Sequence, residues 1–337
     1  MNISVIIPVY NAARYVEQAV RSAVAQPEVG QVVLVEDGST DGSLAVCERL
    51  AAELPGVELR RHPEGANRGA AETRNVGVRA ARAGFVAFLD ADDYYLPGRF
   101  EPACRVFAEQ PEADGVYDAV GTHFENDKMR AWWREQGRHE LSTLRAHVEP
   151  EQLFETLLRG GLGSFHTNGI VVRRGLFERT GPFDAELRMS QDFCMWIKMA
   201  AVGRLVPGRL DRPVAMRRLH GENRIVRHGE EHRMYGHLMC RALAAWAPAA
   251  GLPRARRRLL VRAVMESWLR LPPQRRVQVS GHASPVRFLA GLAGREPWLV
   301  ATRRYWRQVG RALGGSRLRS MLRRNWSDAK TTTLPGF

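Results

Sequence analysis

At 337 residues, 45% hydrophobic and 26% charged, the chain has enough apolar side chains for a full core, with room for one large domain or one and a half. No apolar run approaches the roughly 18 residues of a membrane span, and four scattered cysteines (Cys47, Cys104, Cys194, Cys240) without a CxxC pair argue against a disulfide framework or a thiolate metal site. The net charge of +14 is unevenly placed: residues 254–337 hold 19 Lys or Arg against Glu266, Glu296 and Asp328, a net +16, so residues 1–253 sum to −2.

In chain order, ISVIIPVY (3–10) reads as a strand, and Met1 leads into it so directly that no secretory leader is expected. An amphipathic helix near Ala13–Ala25, the strand QVVLVED, a helix over Ser43–Leu54 after the turn-rich GSTDGS, and the strand VELRRHP follow. A helix over Gly69–Ala83 and the strand FVAFLDADD (85–93) complete a βαβαβαβ order, which implies a mostly parallel sheet with right-handed crossovers and helices on both faces. Continuous apolar strands such as VVLV fit burial on both faces. Next come a helix near Arg99–Glu109, a strand near Gly115–Val120, a polar Trp- and Arg-rich insertion or lid over Asn126–Pro150, the strand-to-helix segment GIVVRRGLF, and a helix over Asp192–Ala201. Beyond Arg254 the pattern is helical, with Leu260, Val264, Trp268 and Leu271 on one apolar face and Trp298, Thr302, Tyr305, Val309 and Ala312 on another.

The chemistry concentrates where FVAFLDADD ends in Asp90, Asp92 and Asp93. Carboxylates at i and i+2 on a strand point the same way, so Asp90 and Asp92 are expected to converge, and a divalent cation is the usual compensation for two such charges. Other strand tips open onto the same edge of a parallel sheet: PVYN (Pro8–Asn11), and EDGSTDGS with Asp37. The helix carrying NRGAAETRN sets Arg74 just behind them. A lone carboxylate, an arginine and a metal site in one crevice suit a nucleoside diphosphate: the carboxylate accepts from a base N–H, the arginine reaches phosphate or base, and the metal holds the diphosphate.

Taken in order, SVIIPVYN, VLVEDGSTDGS, GANRGAAETRNVGVRAA, FVAFLDADD, SQDFCMWIKMA and RRLHGEN resemble the family 2 glycosyltransferases, inverting enzymes of the GT-A fold, over residues 3–224. The resemblance implies an α/β, Rossmann-like catalytic domain over 1–225, its nucleotide-binding half 1–100 and its acceptor-binding half 101–225, followed by a basic helical region over 226–337. It implies transfer of a sugar from a nucleoside diphosphate donor to a hydroxyl of a glycan or lipid-linked acceptor. By the same resemblance Pro8 and Tyr10 border the base, Asp37 hydrogen-bonds it, Arg74 lies near base or phosphate, and Asp90 faces the ribose. Asp92 then binds Mg²⁺ or Mn²⁺, with His220 of RRLHGEN near the diphosphate or metal. Asp37 and Arg74 suit uracil, so a UDP-sugar is the expected donor, with guanine and thymine still open.

In the family the catalytic base is the last acid of a Glu-Asp pair that opens a helix after a Gly-Phe-Asp element. This chain has GPFDAELRMSQD, so the resemblance puts the base at Asp192, with Gln191 in place of the usual Glu and one charge fewer beside it. Asp192 also suits the N-cap of a helix starting at Phe193. Gln191, Trp196 and Asn168 are expected on the acceptor side.

Two other activities compete. A nucleotidyltransferase on a similar sheet needs a Gly-rich loop after the first strand, where PVYNAARY stands. A non-catalytic relative would act through the basic tail. There, Arg303, Arg304, Arg307 and Arg311 surround Trp298, Tyr305 and Trp306, and GSRLRSMLRRNW follows with Trp326, so 254–326 suit either peripheral contact with an anionic inner membrane face or packing as a helical subdomain. No nucleic-acid motif accompanies the charge, and no nucleic acid is expected. HGEEH at 228–232 matches a metalloprotease pattern, but Gly229 weakens the helix that would align its histidines.

Overall fold

A computed structural model describes residues 1–223, 231–281, 283–296, 298, 305 and 307–309. The chain divides into two compact units, Met1–Leu260 and Val261–Phe337. That division falls later than residue 225, so the helix His232–Trp246 goes with the first unit.

The apolar runs pair as a parallel core. β1 (Ile3–Val9) lies between β2 (Val29–Glu36) and β4 (Phe85–Phe88), parallel to both, with β3 (Val57–Arg61) outside β2. The seven-stranded sheet runs β10-β6-β9-β4-β1-β2-β3, where β6 is Gly115–Tyr117, β9 is Ile170–Arg173 and β10 is Leu205–Pro207. Only β9 runs against its neighbours, so the mixed α/β sheet is mostly parallel. The alternation of β1 explains the burial of both faces. Ile3, Val5, Ile7 and Val9 join Val16, Ala19, Val20 and Ala23 of α1 (Val16–Val24) and Cys47 and Leu50 of α2 (Ser43–Glu53) in one cluster. Ile6 points the other way, to Gly77 of α3 (Gly69–Ala80). Burying each such Val, Ile or Leu contributes about 1.5–3 kcal/mol.

Two differences from the sequence reading position the site. First, β4 stops at Phe88: one more backbone bond, Leu89 N to Ile6 O at 3.0 Å, extends the pairing, and then Asp93 N bonds Asp90 O to close a turn. The three acids therefore stand on a turn beyond the strand, and i, i+2 strand geometry does not apply to them. Second, the strand expected over Gly115–Val120 is broken at Asp118. β6 belongs to the main sheet, whereas β7 (Val120–Phe124) joins a second, four-stranded sheet in the order β5-β11-β7-β8. Its other members are β5 (Tyr94–Tyr95), β8 (Leu141–Ser142) and β11 (Ala215–Leu219). The cause of the break is a buried charge, because Asp118 accepts from Arg99 Nη1 at 2.9 Å and from Arg209 N at 2.7 Å, both within the fold and away from any ladder.

The 126–150 insertion forms α5 (Asp127–Glu135), capped by Asn126 through its bond from Met129 N, and then β8. In the second unit, Met265, Leu289, Tyr305 and Val309 pack together with Trp298 beside them, and Trp268 stacks on Phe288 at 4.1 Å between ring centroids. Trp298 and Tyr305 thus serve their own unit's core. Thr302, Arg303, Arg304, Trp306, Arg311, Ala312, Trp326 and the first histidine of HGEEH lie outside the described residues. No helix among the described residues is long and apolar enough to cross a membrane.

At Gly77 a Cβ would overlap the Ile6 side chain. Helix propensity alone favours alanine by about 1 kcal/mol, whereas overpacking costs about 1–3 kcal/mol. Gly77→Ala is therefore expected to lower the unfolding free energy by up to about 2 kcal/mol in urea titration; a higher midpoint would contradict this packing of α3 on β1.

Candidate active site

The site grows from the carboxyl edge of β1, β2 and β4. At the tip of β1, Pro8 is half-buried while Tyr10 keeps 45% of its surface exposed, an open ring at the end of a buried strand. Asn11 follows with φ 48°; its carboxamide oxygen accepts from Thr40 N at 2.8 Å and its N–H donates to Ser39 Oγ at 3.0 Å, tying the β1 and β2 loops together. At the tip of β2, Asp37 is almost enclosed. Its carboxylate accepts from Arg68 N at 2.6 Å and Gly69 N at 3.0 Å, the first amides of α3, with His62 Nε2 at 3.4 Å. A base would therefore meet this carboxylate only at lone pairs that the backbone leaves free.

Arg74 of α3 is buried and donates from Nη2 to Asp90 Oδ1 at 2.7 Å. Its Nε and Nη1 are shut off from solvent without a hydrogen-bond partner, and its guanidinium carbon lies 6.0 Å from the Phe183 ring centroid. Two orphaned donors on a charged group carry a desolvation cost that an oxyanion would remove. The next residue, Asn75, clips Phe183 both ways, Nδ2 to Phe183 O at 3.0 Å and Phe183 N to Oδ1 at 2.8 Å, which brings GPFD to the sheet edge.

Each of the three acids is compensated differently. Asp90 has Arg74, and its backbone N–H donates to Asn168 Oδ1 at 3.1 Å. Asp93 is buried, with Oδ2 accepting from Asn168 Nδ2 at 2.6 Å and Oδ1 from Arg218 N at 2.7 Å. Burial, then the neighbouring charges of Asp92 and Asp90, pushes its carboxyl well above the usual carboxylate range. Asp92 is the more accessible acid, its Oδ2 lying 3.1 Å from His220 Nε2 and 3.1 Å from Asn223 Nδ2. His220 is buried and stacked on Tyr15 at 5.0 Å, with Nδ1 3.3 Å from Glu222 N; its Nε2 can ligate an ion only in the tautomer that carries the proton on Nδ1 and gives up that bond.

This donor set fits a hard divalent cation. Two ligand atoms each about 2.1 Å from one ion at about a right angle stand about 3 Å apart, the spacing of Asp92 Oδ2 and His220 Nε2. Among the described residues a second trio, Asp90, Asp93 and His166, also brings three ligand atoms within 4.8 Å of one another. Both Asp93 oxygens are engaged by the chain, Asp90 Oδ1 carries Arg74 and Asp92 Oδ2 accepts from Asn223, so an ion at either set would displace a hydrogen bond. His166 had no signal in the sequence beyond its place in HTNG. Burial, then Arg217, pulls its pKa down to about 4.

Across the crevice, α8 (Gln191–Val202) begins two residues earlier than Phe193. Its N-cap is Ser190 at φ 61°, a left-handed conformation costly for a non-glycine residue, and Asp192 is not the cap but the second helical residue. Asp192 Oδ1 accepts from Phe193 N at 2.8 Å and Oδ2 from Thr167 Oγ1 at 3.2 Å. Gln191 beside it is buried. Two acceptor-side expectations need correction. Trp196 is 1% exposed, within an aromatic cluster of Phe88, Phe183 and Phe165, and Asn168 is wholly buried as the clip between Asp90 and Asp93. Both hold up the site from behind and neither lines it. Asn75, His166, Thr167, Arg217 and Asn223 are the residues that sequence reasoning passed over; each adjoins a motif it did use.

The profile of glycosyl transferase family 2 matches residues 4–180, just over half of the chain, and the chain belongs to that family. Its mixed α/β architecture is the GT-A fold. An uncharacterized glycosyltransferase of Nostoc sp. is 34% identical over 227 residues, 66% of this chain and 66% of that protein. The succinoglycan biosynthesis protein ExoU of Rhizobium meliloti is 38% identical over 208 residues, 60% of this chain and 58% of its own. Chondroitin synthase of Pasteurella multocida is 27% identical over 67% of this chain but only 21% of its own length. The matched region thus spans less than two-thirds of these relatives. Among solved structures, S. aureus TarS 1–349 in complex with UDP-GlcNAc superimposes with a TM-score of 0.58 at 20% identity, over 92% of this chain and 82% of that one. A Pyrobaculum calidifontis mannosyltransferase in complex with GDP-Man and Mn²⁺ gives 0.52 at 20% identity, over 90% and 81%.

Ligands that bind the folded state stabilise it by about 2.7 kcal/mol at a hundredfold excess over Kd, about 5–10 °C in a domain of this size. Saturating Mn²⁺ is therefore expected to raise the melting temperature by several degrees in wild type and by little in Asp92→Asn; an equal shift in both, followed by differential scanning fluorimetry, would move the ion away from Asp92.

Proposed function

We propose that the chain transfers a sugar from a nucleoside diphosphate donor, a UDP-sugar, to a hydroxyl of a glycan or lipid-linked acceptor, with inversion in a single in-line displacement. The observation that carries this is Arg74: a buried guanidinium with two unpartnered donors, bonded to Asp90 of the acid cluster, while Asp90, Asp92 and Asp192 all act on His166. TarS has been seen with UDP and with UDP-GlcNAc, which supports uracil, while the Pyrobaculum relative holds GDP-Man and keeps guanine in the comparison.

In this reading Tyr10 and Pro8 pack on the base, and Asp37, held by the α3 amides, offers it a remaining lone pair. Arg74 donates to phosphate or base, and Asp90, fixed by Arg74 and Asn168, faces the ribose. Asp92 and His220 would hold Mg²⁺ or Mn²⁺, which when bound neutralises charge on the diphosphate. Asp192 takes the proton of the acceptor hydroxyl as general base. Thr167 and the Phe193 amide orient its carboxylate, Gln191 borders the acceptor, and Asn168 and Trp196 stiffen the walls. The nucleotidyltransferase alternative loses support because the Asn11 loop is tied down by Ser39 and Thr40 and offers no row of free amides to a triphosphate.

The relatives named for succinoglycan and chondroitin synthesis support a role in polysaccharide assembly for the cell envelope. We place the reaction on the cytoplasmic side, with peripheral membrane contact through 254–326. Val286 stands 39% exposed beside the exposed Arg287, and Val277 48% exposed on the preceding helix, apolar and basic groups of the kind that anionic lipid attracts.

Calorimetry with a panel of nucleoside diphosphate sugars and Mn²⁺ is expected to show one nucleotide class binding, lost in Asp92→Asn. Asp192→Asn should keep donor affinity within about twofold and lose about a thousandfold in kcat. No nucleotide binding by folded wild-type protein would end the donor-site reading. Thr167→Val is expected to cost about tenfold in kcat with donor KM unchanged, while Thr167→Ser keeps most of the rate; equal losses in both variants would show that the hydroxyl does not orient the base.

A further inference from the structure

The three residues His166, Thr167 and Asn168, just before β9, tie the acid turn to the start of α8. Asn168 holds the acid turn, bonding Asp90 N and the Asp93 carboxylate. Thr167 holds Asp192, donating to its Oδ2 at 3.2 Å. Both of these side chains are buried. His166 is only half-buried, and so are Asp90, Asp92 and Asp192. The groups that keep open surface thus include both ends of the crevice and the histidine that accompanies the clips between them.

Three observations single out this imidazole. One of its ring nitrogens lies within 4.8 Å of a carboxylate oxygen of Asp90 and of Asp93. Nδ1 accepts from Asn168 N at 3.3 Å, which caps the turn Thr167–Gly169 and leaves the proton of the neutral ring on Nε2. Among the described residues no acceptor bonds that Nε2. Asp90, Asp192 and Asp92 all act on the ring, yet burial, then Arg217, keep it uncharged near neutral pH. An uncharged donor, partly open to solvent, therefore stands among carboxylates from both ends of the crevice.

We propose that His166 recognises the donor sugar, its Nε2–H donating to a hydroxyl or N-acyl oxygen of that sugar. This rests on the readings of the acid turn as the nucleotide end and of Asp192 as the base. In an in-line displacement the sugar lies between the departing diphosphate and the acceptor hydroxyl. In this chain that place is the interval between the acid turn and Asp192, which residues 166–168 span. The chain withholds an acceptor from Nε2, and a sugar oxygen supplies one. The lack of charge suits the place, because positive charge grows on the sugar ring during transfer and an imidazolium beside it would oppose that. A sugar whose oxygen falls out of reach loses the bond, so the contact discriminates among sugars carried by one nucleotide.

Substitution can separate the two ring nitrogens. An asparagine amide reaches about as far as Nδ1, so His166→Asn keeps an acceptor for Asn168 N and removes the Nε2 donor. A glutamine amide reaches about as far as Nε2, so His166→Gln keeps the donor and gives up the cap. Calorimetry on the full chain with Mg²⁺ compares UDP with UDP-glucose, UDP-galactose and UDP-N-acetylglucosamine. Wild type is expected to bind the best of the three sugar nucleotides about tenfold tighter than the weakest, the size of one hydrogen bond. His166→Asn is expected to shrink that spread to about twofold while UDP affinity and melting temperature stay as in wild type. His166→Gln is expected to keep most of the spread and to melt lower. No spread in wild type, or a spread that survives in His166→Asn, overturns the proposal. A loss of about tenfold in UDP affinity in His166→Asn, or in Mn²⁺ affinity without nucleotide, also overturns it, because the ring would then serve the nucleotide or the ion. Wild type that binds neither UDP nor any UDP-sugar is a different result, which removes the donor reading and this inference with it. Should His166→Asn misfold, His166→Gln decides, because loss of the spread in that variant contradicts a donor at Nε2.

Discussion

The constraint on which the site depends is the side chain of Asn168. Three carboxylates within four residues repel one another, and a turn alone would let them splay. Asn168 prevents this by using both ends of its amide, accepting from the backbone of Asp90 and donating to the carboxylate of Asp93. Its own carbonyl accepts from Arg99 Nε at 3.0 Å, and Arg99 Nη1 continues to Asp118. One unbroken run of hydrogen bonds therefore joins the residue where the chain changes sheets to the acids that line the crevice. Because Asn168, Arg99, Asp118 and Asp93 are buried, the run is stiff: breaking a link among them strands a polar group in a medium where it cannot be solvated.

The Arg99–Asp118 pair itself shows why such a run is kept. Both side chains are fully enclosed, and burial pushes the Asp118 carboxyl up against the opposing pull of Arg99. Two desolvated charges gain little net stability over a well-packed apolar pair. What the pair supplies is a defined exit. Asp118 also accepts from the backbone of Arg209, its own N–H donates to Gly169 O, and the chain is turned from β6 into β7 at that residue. The second sheet, which carries β11 and with it His220 and Arg217, is thereby hung at a fixed angle to the main sheet.

Much of the fold was legible because its signals are local. Apolar runs of strand length, alternating with helical periods, specify a doubly covered parallel sheet, and the order of tips at one edge follows from topology. The placement of Asp37, Arg74 and the three acids near one sheet edge was legible for the same reason. What escaped depends on partners distant in sequence. The end of β4 is set by how far β1 accompanies it, so FLDADD looked like strand to its last residue. Trp196 reads as an open aromatic until Phe88, Phe165 and Phe183 are seen to close over it. Asn168 reads as an acceptor contact until Asp93, 75 residues away, takes its amide. The helix start at Gln191 was missed because it needs Ser190 in a conformation that serine rarely adopts.

Alternation along β11 sends its side chains to two different sets of partners. Arg218 and His220 look toward the ring of Tyr15, Arg217 and Leu219 toward α5, and a slip of one residue would exchange the two sets completely. The register therefore has to be held by something other than the side chains it distributes. It is held by the backbone: the parallel ladder pairs Ala215 through Leu219 with Val120 through Phe124, and the N–H of Arg218 is locked to Asp93 Oδ1 at 2.7 Å. The bond that satisfies the most buried of the three acids thus also decides which arginine faces Tyr15 and which faces α5, so the acid turn and the distribution of side chains along β11 share one hydrogen bond.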